Sequence, residues 1–77
     1  MDLVSKQRTN RLVLNAAEGN LIRVKSDLAY SPIDDRATSA RFRGKTALHV
    51  ASTHGHLAVV RYLLLRGATI DVKDEDG

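Results

Sequence analysis

The sequence predicts an all-α fold: short helix–turn–helix pairs stacked side by side, an α-solenoid fragment whose pairs are joined by a long loop or hairpin. Three observations predict it. One pattern occurs twice, as Gly19-Asn20-Leu21-x-x-Val24-Lys25 and as Gly55-His56-Leu57-x-x-Val60-Arg61. Around each copy the apolar residues recur at helical spacing. Between the copies, Ser31 to Arg43 sustains no period.

Residues 1–9 are polar apart from Met1, Leu3 and Val4, and read as an N-terminal tail or cap. The first helix pair is expected over 10–30. Asn10 is its candidate N-cap, because a side-chain oxygen there can accept a free backbone N–H of the first turn. Leu12, Val13, Leu14, Ala16 and Ala17 follow, and Glu18-Gly19 ends the helix. Asn20 is the next cap, after which Leu21, Val24 and Leu28 share one face. Pro32 disfavours helical geometry at Ser31 and closes the pair. Residues 31–43 are small, polar and charged, and read as an extended basic loop with a short hairpin towards its end.

The second pair is expected over 44–73. Thr46 opens it, Leu48 and Ala51 point inward, and Gly55 breaks it as Gly19 broke the first. His56 stands where Asn20 stood, as a helix cap. Leu57, Val60 and Leu64, with Val59 and Leu63 beside them, repeat the apolar face of the first pair. Gly67 terminates the helix, and Ala68 to Lys73 reads as an extended, half-buried run. Small residues (Ala16, Ala17, Ala47, Ala51) allow close helix approach, and stacking buries apolar faces that one pair cannot bury alone.

The run Thr46-Ala47-Leu48-His49-Val50-Ala51 resembles the T-P-L-H-x-A signature of ankyrin repeats, whose unit is about 33 residues. Gly44 to Gly77 spans one such period, and residues 74–77, Asp74-Glu75-Asp76-Gly77, look like the start of a further repeat. Gly19 and Gly55 stand three residues farther apart than that, which places an expansion in the 31–43 loop; a second register, aligning Ala16-Ala17 with Ala51-Ser52, has an offset of 35 and a one-residue deletion before Gly19. The first unit is therefore a divergent copy and the second a well-matched one. The second also departs from the family pattern: Ala47 replaces the usual Pro, Ser52 the second Ala, Arg41 a turn-forming Asp and Asp71 a frequent Asn. The departure at Arg41 implies a hairpin of non-standard shape.

Composition narrows the function. The chain has 77 residues, no cysteine and a net charge of +3 from 12 basic and 9 acidic residues. Disulfides and thiolate metal sites are excluded. The stretch Met1 to Lys6 lacks the apolar core of a secretory signal, and no run approaches the length of a membrane span. An intracellular module, cytoplasmic or nuclear, is the expectation, without membrane insertion.

No catalytic residue is assigned: glycine-rich phosphate loops, nucleophile elbows and zinc-protease motifs are missing from the sequence. No cofactor or metal is expected. His49, His54 and His56 are spaced so that they do not converge on one helix face, and Asp74, Glu75 and Asp76 lack the ligand spacing of a calcium loop. Arg36, Arg41, Arg43 and Lys45 around Phe42 offer phosphate and stacking contacts, but the patch is short and follows Asp34 and Asp35, so nucleic acid is disfavoured. Ser31 and Ser39 match short phosphorylation patterns of the kind that arise by chance.

The resemblance implies protein–protein recognition through hairpin tips and inner helices. Carried onto this chain, the partner-binding residues are Phe42, Arg43, Lys45, Thr53 and His54, with Lys73, Glu75 and Asp76 in the next hairpin. Phe42, the single Phe and flanked by two arginines, has the composition of an interface hot spot; the competing reading folds it over the loop. Thr46, Leu48, His49, Gly55 and Gly67 take structural roles, with Thr46 and His49 tying the helix start to neighbouring groups. An alternative function is that of a regulatory or assembly module within a larger enzyme or channel. The stop inside the opening turn of a further unit reads as a longer array cut at Gly77, with self-association through the apolar C-terminal end as a corollary.

Overall fold

The described residues form four helices: α1 Leu3–Glu18, α2 Leu21–Asp27, α3 Ala47–Thr53 and α4 Leu57–Leu65. The computed structural model describes residues 3–69, with side chains from residue 6 onward. Lys73, Glu75, Asp76, the end of the extended run and the start of the further repeat lie outside the described residues. Among those described there is no strand.

α1 and α2 form one antiparallel pair, α3 and α4 the next, and α1 packs against α3 while α2 packs against α4. The interface between the pairs is the core. Leu12, Val13, Val24, Val50, Val59 and Leu63 are its fully buried large side chains, with Ala16, Ala47 and Ala51 allowing close approach. Each large aliphatic side chain so buried contributes about 1.5–3 kcal/mol.

Three local expectations change. Asn10 is not an N-cap, because α1 begins two turns earlier, at Leu3. Its side chain instead serves the loop: Oδ1 accepts from the backbone N–H of Thr38 at 2.7 Å, and Nδ2 donates to Thr38 Oγ1 at 3.1 Å. His56 holds the N-cap position of α4 but makes no side-chain cap bond; its Nε2 donates to the carbonyl of Ala17, 2.9 Å away in the first pair. By contrast Asn20 does cap α2, accepting from the Arg23 N–H at 3.2 Å. The third change concerns α4. Val59 and Leu63, one turn apart, form its buried face, whereas Leu57 is 71 % exposed and Val60 and Leu64 look onto an open side. The apolar residues of α4 nearly encircle it, so spacing alone does not say which stripe meets the first pair.

Candidate functional site

The loop between the helix pairs is built around a closed turn. Ala37 and the Gly44–Lys45 segment exchange backbone hydrogen bonds, Ala37 N–H to Lys45 O at 2.8 Å and Gly44 N–H to Ala37 O at 2.9 Å. Phe42 N–H to Ser39 O at 3.2 Å and Lys45 N–H to Phe42 O at 3.0 Å tighten the tip. Arg36 Nη1 donates to the carbonyl of Gly44 at 2.7 Å, so this arginine braces the turn. The expected hairpin is thus a closed turn without a strand ladder.

Helix α1 holds this turn in place through a polar stripe. Lys6, Thr9 and Asn10 fall on one face by helical spacing. Lys6 forms an ion pair with Asp35 at 3.2 Å, and Thr9 Oγ1, wholly buried, donates to the same carboxylate at 2.8 Å. Burial pushes the Asp35 carboxyl up; the hydrogen bonds from Thr9 and Lys6, the Lys6 charge and the Arg36 N–H outweigh that and hold it below its ordinary value. The neighbouring Asp34 accepts from Thr69 twice, from its N–H at 2.9 Å and its hydroxyl at 2.6 Å. The two adjacent aspartates therefore anchor the loop to opposite ends of the stack.

Phe42 requires a correction as an exposed anchor. It is 6 % exposed and belongs to the core cluster, because the tight tip turns its ring inward under the loop. The Arg41 guanidinium lies over the ring at 4.8 Å. Arg43 is exposed and lines a hollow with Lys6, Arg36 and Thr38. Lys45 is half-buried beside the turn. Thr53 and His54 are exposed at the end of α3, where Thr53 Oγ1 donates to His49 O at 3.0 Å and His54 Nδ1 to Val50 O at 2.8 Å. Ser31 is 7 % exposed, which closes it to a kinase as the chain is folded.

Thr46 caps α3, its Oγ1 accepting from the His49 N–H at 3.3 Å, and is almost fully buried. Leu48 is buried and His49 half-buried. Gly19 and Gly55 both adopt a left-handed φ, +74° and +72°, but only Gly19 is also crowded: a Cβ there would meet His56 Nδ1 at 2.5 Å. Beyond α3 and α4, a surface groove of about 330 Å³ runs between Leu48, Ser52, Val60, Leu64 and Thr69.

The ankyrin-repeat family model matches residues 43–75, from Arg43 through α3 and α4. Residues 43–75 are an ankyrin repeat. An E3 ubiquitin-protein ligase, MIB2, of Gallus gallus is 41 % identical over 64 residues, 83 % of this chain and 6 % of the ligase. A transient receptor potential cation channel subfamily A member 1 homolog of Caenorhabditis elegans is 48 % identical over 33 residues, 43 % of this chain and 3 % of the channel. The chain thus spans only a small part of the length of these relatives. No solved structure matches it.

The ankyrin match leaves α1 and α2 outside its bounds, although they pair like α3 and α4. Residues on α1 are also what sequence reasoning missed. Lys6, Arg11 and Leu14 join the arginines of the turn on one surface. The signal was present in the Lys6, Thr9, Asn10 and Leu14 spacing, but it is readable only if α1 starts before Asn10.

Proposed function

We propose that this chain is a protein-binding module, presenting the 36–45 turn and the exposed end of α3 to a protein partner. One observation carries the reading. Arg41 and Arg43 protrude from a turn whose backbone is bonded to itself and whose flanks are tied to α1 by Asn10 and Asp35. Such a surface loses little conformational entropy on binding, which is the condition for affinity from a small patch. Arg43, Lys45, Thr53 and His54 are its contact residues, and the unit works inside a cell, in cytoplasm or nucleus. Lys73, Glu75 and Asp76, outside the described residues, are assigned to the same contact set by the ankyrin resemblance alone. Among the described residues no helix is long and apolar enough to cross a membrane.

A second reading, a regulatory or assembly segment of a larger enzyme or channel, draws support from the two relatives, one named a ligase and one a channel. The two readings differ in what surrounds the module and share the surface.

The test is photo-crosslinking in cell extract, with a photoreactive amino acid placed singly at Arg43, Lys45, Thr53, Ile22 or Leu65. Crosslinks to a common protein from the first three, with none from the exposed outer-helix positions Ile22 and Leu65, are expected. Crosslinks confined to Ile22 and Leu65 would move the interface to the outer helices and overturn the assignment.

A further inference from the structure

We infer that the strip between α1 and the 36–44 turn docks an acidic peptide segment that carries a bulky apolar side chain; this rests on the protein-binding reading and names the partner's chemistry. Two hollows lie consecutively along α1. The first, about 430 Å³, is floored by Leu14 and the edge of Phe42 and rimmed by Arg11 and Arg41. The second, about 350 Å³ and one turn nearer the N-terminus of α1, is lined by Lys6, Arg36 and Arg43. The bonds from Asn10 to Thr38 and Ser39 form the sill between them.

Charge decides the occupant. Among the described residues, no carboxylate lines either hollow. Among the described residues Asp35 pairs with Lys6, which leaves Arg11 and Arg41 as a cationic rim around the apolar floor, with Arg43 and the turn-bracing Arg36 adding charge in the neighbouring hollow. Guanidinium groups favour bidentate pairing with carboxylates, and a surrounding field of one sign speeds encounter with a partner of the other. Leu14 is 37 % exposed, so part of its apolar surface remains for a ligand to cover. The Arg41 guanidinium, held over the Phe42 ring, stands beside that floor. A nucleic acid would need an open aromatic face for stacking, and the Phe42 ring is buried beneath the loop. An apolar side chain seated on Leu14, flanked by aspartate or glutamate, satisfies both floor and rim.

The experiment selects a random-peptide display library on the immobilised full chain, then measures the enriched peptides by fluorescence anisotropy. Enriched sequences should share one bulky apolar residue with acidic neighbours, and binding should weaken as salt is raised. Leu14→Ala and Arg41→Glu should each weaken it about tenfold or more. Leu57→Ala and Leu65→Ala remove larger exposed apolar surfaces on α4 and should leave it unchanged. Far-UV circular dichroism confirms that each variant remains helical. Enriched peptides that lack acidic residues, or that respond to the α4 variants and not to Leu14→Ala and Arg41→Glu, overturn the docking strip while the protein-binding reading survives. No enriched peptide at all counts against both. Tight binding of oligothymidylate lost in Arg41→Glu, with no peptide enriched, assigns the strip to nucleic acid and overturns both.

Discussion

Replacing Phe42 with alanine should remove a large fraction of this protein's stability rather than merely weaken a contact. The ring is 6 % exposed and packs within the core cluster that includes Leu12, Val13 and Ala47. Phe→Ala substitutions in cores cost about 3–5 kcal/mol, the transfer term plus the cavity left behind. Phe42 sits at the tip of a turn that can settle partway into the space, so the low end, about 3 kcal/mol, applies. A chain of this length holds total stability of roughly 4–12 kcal/mol at ~0.05–0.15 kcal/mol per residue. The loss is therefore between a quarter and three quarters of the whole, and a melting temperature about 12 °C lower or worse is expected. Urea titration followed by far-UV circular dichroism measures it directly. Phe42→Leu keeps most of the volume and should cost about 1 kcal/mol, so the gradation remains measurable if the alanine variant does not fold. An alanine variant within about 0.5 kcal/mol of wild type would refute the burial and return Phe42 to the surface as a binding anchor.

Three further outcomes follow from the contacts. Gly55→Ala should cost about 1–2 kcal/mol for a left-handed residue with a Cβ, and Gly19→Ala should cost about 1–3 kcal/mol more because the new methyl overlaps the His56 ring. His56→Ala added to Gly19→Ala should recover that excess in a thermal-melt double-mutant cycle, and strict additivity would count against the clash. Asp35 has a depressed folded-state pKa, so its contribution is fully present above the ordinary aspartate range and is lost as pH falls through and below it. Urea midpoints taken at neutral pH and on the acid side should converge for wild type and Asp35→Asn as the pH drops; a constant gap at all pH values would remove the ion pair from the account. Asn10→Ala should cost about 1 kcal/mol and speed amide hydrogen exchange at Thr38 and Ser39, with Val50 and Leu63 unaffected, since only those two loop amides lose their acceptor.

Open apolar surface beyond α4 also bears on assembly. Val60 and Leu64 line the groove there, and self-association through it predicts concentration-dependent sedimentation that Val60→Glu abolishes. A strict monomer at high concentration, wild type and variant alike, would rule that out.

The sequence by itself determined the all-α class, the two helix pairs and the glycines that end their inner helices. Those features depend on local chemistry: a cap at Asn20 or Thr46, a left-handed glycine at Gly19 or Gly55, and an apolar spacing within a few residues. It also set the basic loop apart from the helices, because a break in periodicity is visible without coordinates. What it could not decide were relations between distant segments. Asn10 looks like a helix cap until Thr38 and Ser39, nearly thirty residues away in sequence, are seen to take its side-chain oxygen. His56 looks like another cap until the carbonyl of Ala17 lies beside its ring. Phe42 satisfies the composition of a hot spot, and only the fold of the turn over the core decides that its ring faces inward. On α4, apolar residues occur on nearly every side, and packing against the first pair alone selects Val59 and Leu63. Local energetics wrote the elements into the chain; long-range contacts, whose partners no spacing reveals, assigned each polar or aromatic side chain to scaffold or surface.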